Sequence, residues 1–215
     1  QHLARRALRA DTLVTYVHDV ARFPIAADQR LCERVARRFR VRTGNFRTLA
    51  DDLRIYTHLN NAAFADHRHY FERTEEEDLE LFRAFGPLLR EENFLVAEHD
   101  GQPVGFLLWY PDFNEWVPPG GAVGLGAVLR YRLLGRRPTR FKIAELGVLP
   151  AFQRSGAILA LINHCFGLVR GRYRHGESGW ILEDNVLSKA LNTRWNAAPD
   201  KTYQVFHLDP GESPA

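Results

Sequence analysis

Apolar residues follow two periodicities along this chain, and each periodicity predicts a different kind of element. Apolar residues in alternation or in short continuous runs predict strands at residues 12–20, 41–43, 141–149, 177–183 and 201–208. Apolar residues that recur every three or four positions predict helices at residues 27–39, 47–64, 74–86, 153–171 and 185–195. From residue 141 onward, the predicted order is strand, helix, strand, helix, strand.

Two local signals sharpen this prediction. Asp100-Gly101 stands between the apolar segments FLVAEH and VGFLLWY, and this dipeptide is a strong signal for a tight β-hairpin. Thr74 precedes three glutamates, the last of which is Glu77. A threonine followed three residues later by a glutamate predicts a helix that begins with a capping box.

Residues 114–140 follow neither periodicity and are predicted to form an insertion, with one short helix near residues 122–134. A connection of this length in a compact domain is usually functional or mobile, so we expect a lid or a partner surface. Arg136, Arg137 and Arg140 form a basic patch within it. This patch either contacts an anionic donor or carrier, or it is a solvated face of an arginine-rich protein.

Composition limits the classes of protein to which the chain can belong. Of 215 residues, 45% are hydrophobic and 26% are charged, which is typical of a globular domain and not of a disordered chain. Lys and Arg total 29 against 26 Asp and Glu, so the net charge of +3 does not indicate a strongly basic nucleic-acid binder. No apolar run reaches the length of a membrane span. Methionine is absent, which predicts the C-terminal part of a longer or trimmed chain.

The cysteines and histidines carry no signature of a disulfide or a metal site. Cys32 and Cys165 lie far apart in helix-like surroundings, so we predict two free thiols in a reducing compartment, the cytoplasm. His67 and His69 are two residues apart, a spacing that does not place both on one helix face. We therefore predict no bound metal.

Residues 146–158, LGVLPAFQRSGAI, join a predicted strand to the predicted helix behind it. A glycine at the start of a helix lets a ligand approach the backbone, and the free N–H groups of the first turn point towards an anion. This segment resembles the acyl-CoA signature of the GCN5-related N-acetyltransferases (GNAT), an apolar-x-Val-x-Pro strand end followed by Gln/Arg-x-x-Gly-x-Gly/Ala. Gln153 and Gly156 match the glutamine and the central glycine, and Ile158 stands where the family has Gly or Ala.

Two further segments are similar to the same family. The hairpin segment that begins at Val96 resembles its second and third strands, and Asn185-x-x-Ser188-x-x-Leu191 resembles the Asn-x-x-Ala-x-x-Leu pattern of its last helix. The resemblance implies an α/β fold with a central twisted mixed β-sheet flanked by helices, preceded here by an N-terminal strand–helix lead-in. It implies acetyl-CoA or another acyl-CoA as cofactor. The implied cofactor-binding residues are Leu146, Gly147, Val148, Gln153, Arg154, Ser155, Gly156, Ala157, Ile158, Asn185 and Ser188.

A narrower resemblance concerns a bacterial GNAT subgroup whose longer chains carry an extra GNAT-like half upstream. The segments PDFNE, LLGRRPTRFKIAELGVLP, SGWILEDN and DKTYQVF carry this resemblance. It implies a lead-in of strand, linker and helix at residues 1–37, the remnant of such an upstream half. An acyltransferase domain would follow at residues 38–209, with its lid at 114–140 and a tail at 210–215.

The family pattern also indicates where acid–base chemistry would lie. Many members carry a base glutamate where this chain has Lys142, and an acid tyrosine where it has Asn192. Glu145 is therefore the candidate catalytic base, and strand alternation should point it to the face opposite Lys142. Its alternative role is a structural ion pair with an arginine. The amides of residues 146–148 would polarise the thioester carbonyl. The candidates behind Glu145 are Glu183, Asp184 and Tyr203.

Three functions are compatible with the sequence. The first is an acyl-CoA-dependent N-acyltransferase that acylates the amine of a small-molecule or amino-acid-like acceptor, with Tyr110 and Trp116 as substrate-binding residues. The second is a non-catalytic GNAT-fold module that binds CoA or a partner. The third is an acyltransferase fed by a carrier protein or by aminoacyl-tRNA. Apart from this tRNA, no nucleic-acid partner and no membrane partner is predicted, and a homodimer is compatible with the sequence.

Overall fold

The computed structural model describes residues 9–23, 29–118, 120–193 and 198–207. The predicted tail at 210–215, the start of the lead-in and the last two residues of the predicted helix 185–195 lie outside this part. The strands are β1 (Arg9–Asp19), β2 (Arg40–Thr43), β3 (Phe94–His99), β4 (Gln102–Pro111), β5 (Arg140–Val148), β6 (His175–Leu182) and β7 (Pro199–His207). The helices are α1 (Gln29–Arg38), α2 (Leu49–Phe64), α3 (Glu75–Phe85), α4 (Leu125–Arg132), α5 (Ala157–Val169) and α6 (Val186–Thr193).

The larger of two compact units consists of residues 19–176. In it, β2, β3, β4 and β5 lie side by side in that order and are antiparallel. Helix α5 leads from β5 to the beginning of β6, where the amide of Arg174 donates to the carbonyl of Thr139 at 2.7 Å. This return over a helix is a parallel crossover. A mixed sheet with flanking helices confirms the predicted α/β class.

The smaller unit consists of residues 1–18 and 177–215, so it joins the two ends of the chain. Its described strands have the order β6, β1, β7. Strand β1 pairs antiparallel with β7, from Arg9 opposite His207 to Tyr16 opposite Pro199. These two units meet after residues 18 and 176, whereas the predicted boundary lies between residues 37 and 38. The predicted segments 1–37 and 38–209 stay a prediction.

Helices cover both faces of the sheet in the larger unit. On one face, α2 and α3 enclose an apolar cluster centred on Tyr56, which is fully buried. The rings of Phe82, Phe94 and Phe106 lie 5.1–5.6 Å from its ring centre, edge to face. On the other face, α5 packs on the strands together with α1. Both layers bury apolar side chains, which holds β5 and the start of α5 in place.

The local signals are confirmed in the structure. Thr74 and Glu77 form both bonds of the capping box, at 3.3 and 2.8 Å. Asp100 and Gly101 form the hairpin turn with φ of 50° and 77°, the left-handed values that this turn requires. Cys32 and Cys165 are free thiols, as predicted, although Cys32 is only partly buried. Among the described residues, no helix has the length and apolar character needed to cross a membrane.

Candidate functional site

The connection from β5 to α5 is a compact turn with two residues in left-handed conformation. A 3₁₀ helix spans Pro150–Phe152, and Arg154 and Gly156 follow with φ of 61° and 98°. Helix α5 therefore begins at Ala157, whereas periodicity predicted a helix from residue 153. The prediction was wrong at this end because a left-handed residue interrupts a right-handed helix.

Gly156 is required by space as well as by backbone conformation. A Cβ atom at this position would lie 2.9 Å from Cγ1 of Val35 in α1. A side chain would also force an L-residue into the left-handed region, which costs about 1 kcal/mol or more. The absence of a side chain lets the turn lie close to α1.

The first turn of α5 presents backbone N–H groups that have no helical partner. The hydroxyl of Ser155 donates to the carbonyl of Phe152 at 2.6 Å and accepts from the amide of Ala157 at 3.3 Å. In the described part of the chain, the amides of Ile158 and Leu159 form no hydrogen bond. Unpaired amides at a helix start, together with the helix dipole, attract an anion such as a phosphate. The predicted residues 153–158 are thus assembled around one turn.

Strand β5 directs alternate amides to its two edges. The amide of Leu149 donates to the carbonyl of Val104 at 2.9 Å, so the amide of Gly147 also points to β4. The amides of Leu146 and Val148 then point to the other edge of β5. Three strand amides are predicted to contact a thioester, and two of them, those of Leu146 and Val148, point away from β4.

A bulge in β5 changes the face to which Glu145 points. The pairing of β4 with β5 shifts register after Leu108, which lies opposite Glu145, and Ala144 is the extra residue. Lys142 lies opposite Tyr110. Leu108 and Tyr110 share one face of β4, so Glu145 and Lys142 share that face as well. The expectation that they lie on opposite faces was wrong, because simple alternation does not hold across a bulge.

The carboxylate of Glu145 is held by three donors from α2 and from the loop behind it. Oε2 accepts hydrogen bonds from the Tyr56 hydroxyl and, at 2.6 Å, from the Asn60 amide group. Nη2 of Arg73 lies 3.4 Å from both carboxylate oxygens. The side chain of Glu145 is nevertheless 28% exposed. The structure therefore contains the arginine pair of the alternative prediction, in a geometry that leaves part of the carboxylate accessible.

A second layer orients these donors. Nε of Arg73 lies 3.4 Å from Oδ1 of the buried Asp78, whose Oδ2 accepts from the Thr57 hydroxyl at 2.6 Å. Nη2 of Arg73 donates to the Tyr56 hydroxyl at 2.9 Å. Burial and then the charge of Glu145 raise the pKa of Tyr56, so its phenol stays protonated and remains a donor.

This network was not predicted. Tyr56, Asn60, Arg73 and Asp78 are not among the predicted site residues. One signal was available, because Tyr56 and Asn60 are four residues apart and share a helix face. A polar pair on the buried face of an otherwise apolar helix requires a polar partner, and that partner is Glu145.

The predicted substrate-binding residues lie in different surroundings. Tyr110 is on the same face of the sheet as Glu145 and packs against the apolar cluster under α2. Trp116 lies in the 3₁₀ helix Phe113–Trp116, and its ring centre is 5.9 Å from that of Phe113. Tyr110 is therefore placed beside the candidate base, whereas the described ring contact of Trp116 is with its own short helix.

Lys142 and Asn192 stand where the family commonly has a base and an acid, and each contacts other side chains here. In the larger unit, Nζ of Lys142 lies 3.5 Å from Oδ2 of Asp112. In the smaller unit, Oδ1 of the buried Asn192 accepts from the Ser178 hydroxyl at 2.6 Å and lies 2.9 Å from Nε2 of His18. Both side chains have structural partners within their own unit.

Asn185 is the N-terminal cap of α6 in the smaller unit. Its Oδ1 accepts from the amide of Ser188 at 3.1 Å, and its carbonyl accepts from the amide of Lys189 at 3.0 Å. Its side-chain oxygen thus has a local structural role. The residues predicted in this unit are Asn185, Ser188, Glu183, Asp184 and Tyr203, and their place in a cofactor site stays a prediction.

Comparison with known proteins identifies a family. Residues 54–191 match the model of the acetyltransferase (GNAT) family, a range that contains both Glu145 and the turn before α5. Protein YghO of Escherichia coli K12 is 23% identical over 188 residues, which are 83% of this chain and 48% of YghO. The chain thus spans about half the length of this relative.

Solved structures resemble the fold. A GCN5-related N-acetyltransferase from Sphaerobacter thermophilus has a TM-score of 0.60 at 15% identity, over 94% of this chain and 54% of that one. A GCN5-related glucosamine N-acetyltransferase region of a fungal β-N-acetylglucosaminidase has a TM-score of 0.57 at 11% identity, over 91% of this chain and 21% of that one. At these identities, the likeness concerns the fold alone.

Proposed function

We propose that this chain, which belongs to the GNAT acetyltransferase family, transfers an acyl group from acyl-CoA to the amine of a small-molecule or amino-acid-like acceptor. The observation that carries the proposal is the turn before α5. Its left-handed residues Arg154 and Gly156 and the unpaired amides of Ile158 and Leu159 form a backbone cradle for an anion. In this family, the pyrophosphate of CoA is the anion that such a turn would hold.

The donor would lie along the edge of β5 that faces away from β4. The amides of Leu146 and Val148 point to that edge and would donate to the thioester carbonyl, as an oxyanion hole does. The acceptor nitrogen attacks this carbonyl carbon, and the bond from carbon to sulfur breaks. The nitrogen loses a proton, and the departing CoA thiolate takes one up.

Glu145 is proposed to take the proton from the acceptor amine, directly or through one water molecule. Among the described residues, its Oε1 has one polar neighbour, Arg73 at 3.4 Å, whereas Oε2 accepts the two shorter bonds. The short bonds thus orient the carboxylate through Oε2, and Oε1 is the oxygen proposed to take the proton. Tyr56 and Asn60 act as positioning residues for it.

The donor site is tested by calorimetric titration with acetyl-CoA. We expect Gly156→Ala to weaken binding about tenfold or more, since the new Cβ meets Val35 and strains the turn. Gly167→Ala is the matched control on the same helix, because a Cβ there meets nothing within 4 Å. Arg154→Gly keeps the left-handed backbone and reports the contribution of the arginine side chain alone.

Transfer itself is tested by release of the CoA thiol with a panel of amines. Turnover that depends on an amine supports the proposal. Failure of the wild-type chain to bind acetyl-CoA contradicts it. Binding of acetyl-CoA without turnover on any amine contradicts the enzymatic part and supports the non-catalytic CoA-binding module instead.

A further inference from the structure

The outward face of α4 is apolar. Leu125, Leu129 and Leu133 recur at four-residue spacing along it and are 73%, 43% and 73% exposed, and Leu134 beside them is 67% exposed. A surface helix of a globular domain normally turns its apolar stripe towards the core. A contiguous exposed apolar patch marks an interaction site. We call these four residues the leucine stripe.

The opposite side of α4 is already packed against the larger unit. The side chain of Tyr131 is fully buried, and its ring centre lies 5.2 Å from that of Phe113. The Arg90 guanidinium lies over the Tyr131 ring, 4.6 Å from the ring centre. The guanidinium of Arg132 donates to three carbonyls behind α3, those of Gly86, Pro87 and Leu89, at 2.6–3.0 Å. The leucine stripe is therefore the outer face of an anchored helix, and rotation of α4 to bury it would break these contacts.

The segment around the stripe has one sign of charge. Residues 117–129 contain no side chain that ionises or forms a hydrogen bond, and no acidic residue lies between Glu115 and Glu145. Arg130 lies between Leu129 and Leu133 in the sequence, Arg136 and Arg137 follow Leu134 after one glycine, and all three arginines are exposed. An apolar stretch flanked by arginines is complementary to a surface that is apolar beneath and anionic above.

We infer that α4 and the segment before it bind peripherally to an anionic lipid surface. The leucine stripe would enter the boundary between headgroups and acyl chains, and the arginines would contact lipid phosphates. A span is not involved, since α4 has eight residues and a span needs about 20. This inference does not rest on the proposed acyl transfer.

Two other occupants fit the surface less well. A second copy of the chain would bring two arginine clusters together, and like charges repel. A protein partner is usually held by aromatic and hydrogen-bonding side chains that set its orientation. Residues 117–129 offer neither, whereas a lipid surface needs no directional contact.

The test is co-sedimentation of the whole chain with vesicles. We expect binding to phosphatidylcholine vesicles that contain phosphatidylglycerol to be about tenfold or more tighter than binding to pure phosphatidylcholine. Binding should weaken as salt is added. Leu129→Ser with Leu133→Ser should abolish it, and Arg136→Gln with Arg137→Gln should remove the preference for anionic vesicles. Val186→Ser is the control, since Val186 is 74% exposed and lies on α6.

Three results would overturn the inference. One is absence of binding to anionic vesicles at low salt, and another is wild-type binding by the leucine variant. The third is a wild-type chain that sediments as a dimer and does not bind vesicles, while the variant with Leu129→Ser and Leu133→Ser is a monomer. The leucine stripe would then join two copies of the chain. Circular dichroism and CoA binding of each variant report whether the fold is intact.

Discussion

Two glutamates in the larger unit each face an arginine, and they differ in how the arginine holds them. Glu92 meets Arg172 through two guanidinium nitrogens, one of them at 2.9 Å, in a bidentate pair. Glu145 meets Arg73 only at 3.4 Å and takes its shorter bonds from Tyr56 and Asn60. The bidentate pair occupies both oxygens of Glu92, whereas Glu145 takes its two shorter bonds through Oε2 alone, and its side chain is 28% exposed.

The comparison shows that an arginine partner need not bind both oxygens of a carboxylate through short bonds. What distinguishes Glu145 is its place at the bulge of β5, one residue before Leu146 and three before Val148, the two residues whose amides point away from β4. Glu92 instead lies where its carbonyl accepts the indole N–H of Trp109 at 2.7 Å, at the edge of the core. Each of the following variants tests whether the two carboxylates have separate roles.

The largest difference is expected in catalysis. Glu145→Gln should lower kcat by about 1,000-fold, because the amide keeps the shape of the side chain but cannot take up a proton. Glu92→Gln is the matched control and should leave kcat close to that of the wild type. Steady-state release of the CoA thiol measures both. An equal decrease in the two variants would mean that Glu145 acts through the fold and not through the reaction.

The next difference is expected in stability. Arg73→Gln should lower the free energy of unfolding by about 3 kcal/mol, since it leaves the buried Asp78 without its cation. Arg172→Gln should cost about 1 kcal/mol, because both partners of the Glu92 pair are partly exposed. Urea denaturation of the two variants compares them directly. If Arg172→Gln proved the more costly, the ranking of the two pairs by burial would be wrong.

Sequence patterns predicted those features of the fold that depend on neighbouring residues. The capping box at Thr74, the turn at Asp100-Gly101 and the glycine at the start of α5 are local features, and the structure contains all three. The family segment around Gly156 placed the backbone turn correctly, although the helix begins later than its periodicity indicated.

The surroundings of Glu145 could not be derived in the same way. Glu145 lies 89 residues from Tyr56 and 72 from Arg73 along the chain, and their contact depends on how α2 packs on the sheet. The direction of Glu145 depends on the extra residue Ala144, and one inserted residue reverses the alternation beyond it. No local pattern marks such a bulge, so a period of two gave the wrong face.

A smaller decrease in kcat is expected when Glu145 loses the hydrogen bond from Tyr56 but keeps its ion pair with Arg73. Tyr56→Phe keeps the ring that packs on Phe82, Phe94 and Phe106 and removes the hydroxyl that donates to Oε2. One hydrogen bond is worth about 1 kcal/mol, so we expect kcat to fall about fivefold with KM for acetyl-CoA unchanged. A change in the pH profile of kcat, which an unrelated packing defect would not cause, would confirm a positioning role.

The smallest effect concerns the pH dependence that Glu92 contributes to stability. The hydrogen bond from Arg172 lowers the pKa of Glu92 below its ordinary value of 4.5, although burial opposes this shift. A carboxylate whose folded pKa is lowered stabilises the fold fully above the unfolded pKa, and this stabilisation disappears as pH falls through the folded pKa. The difference in unfolding free energy between the wild type and Glu92→Gln should therefore be constant from pH 7 to about pH 5 and shrink below about pH 4. Urea denaturation across this range measures it, and a difference that grew on acidification would show that the pair with Arg172 does not stabilise the fold.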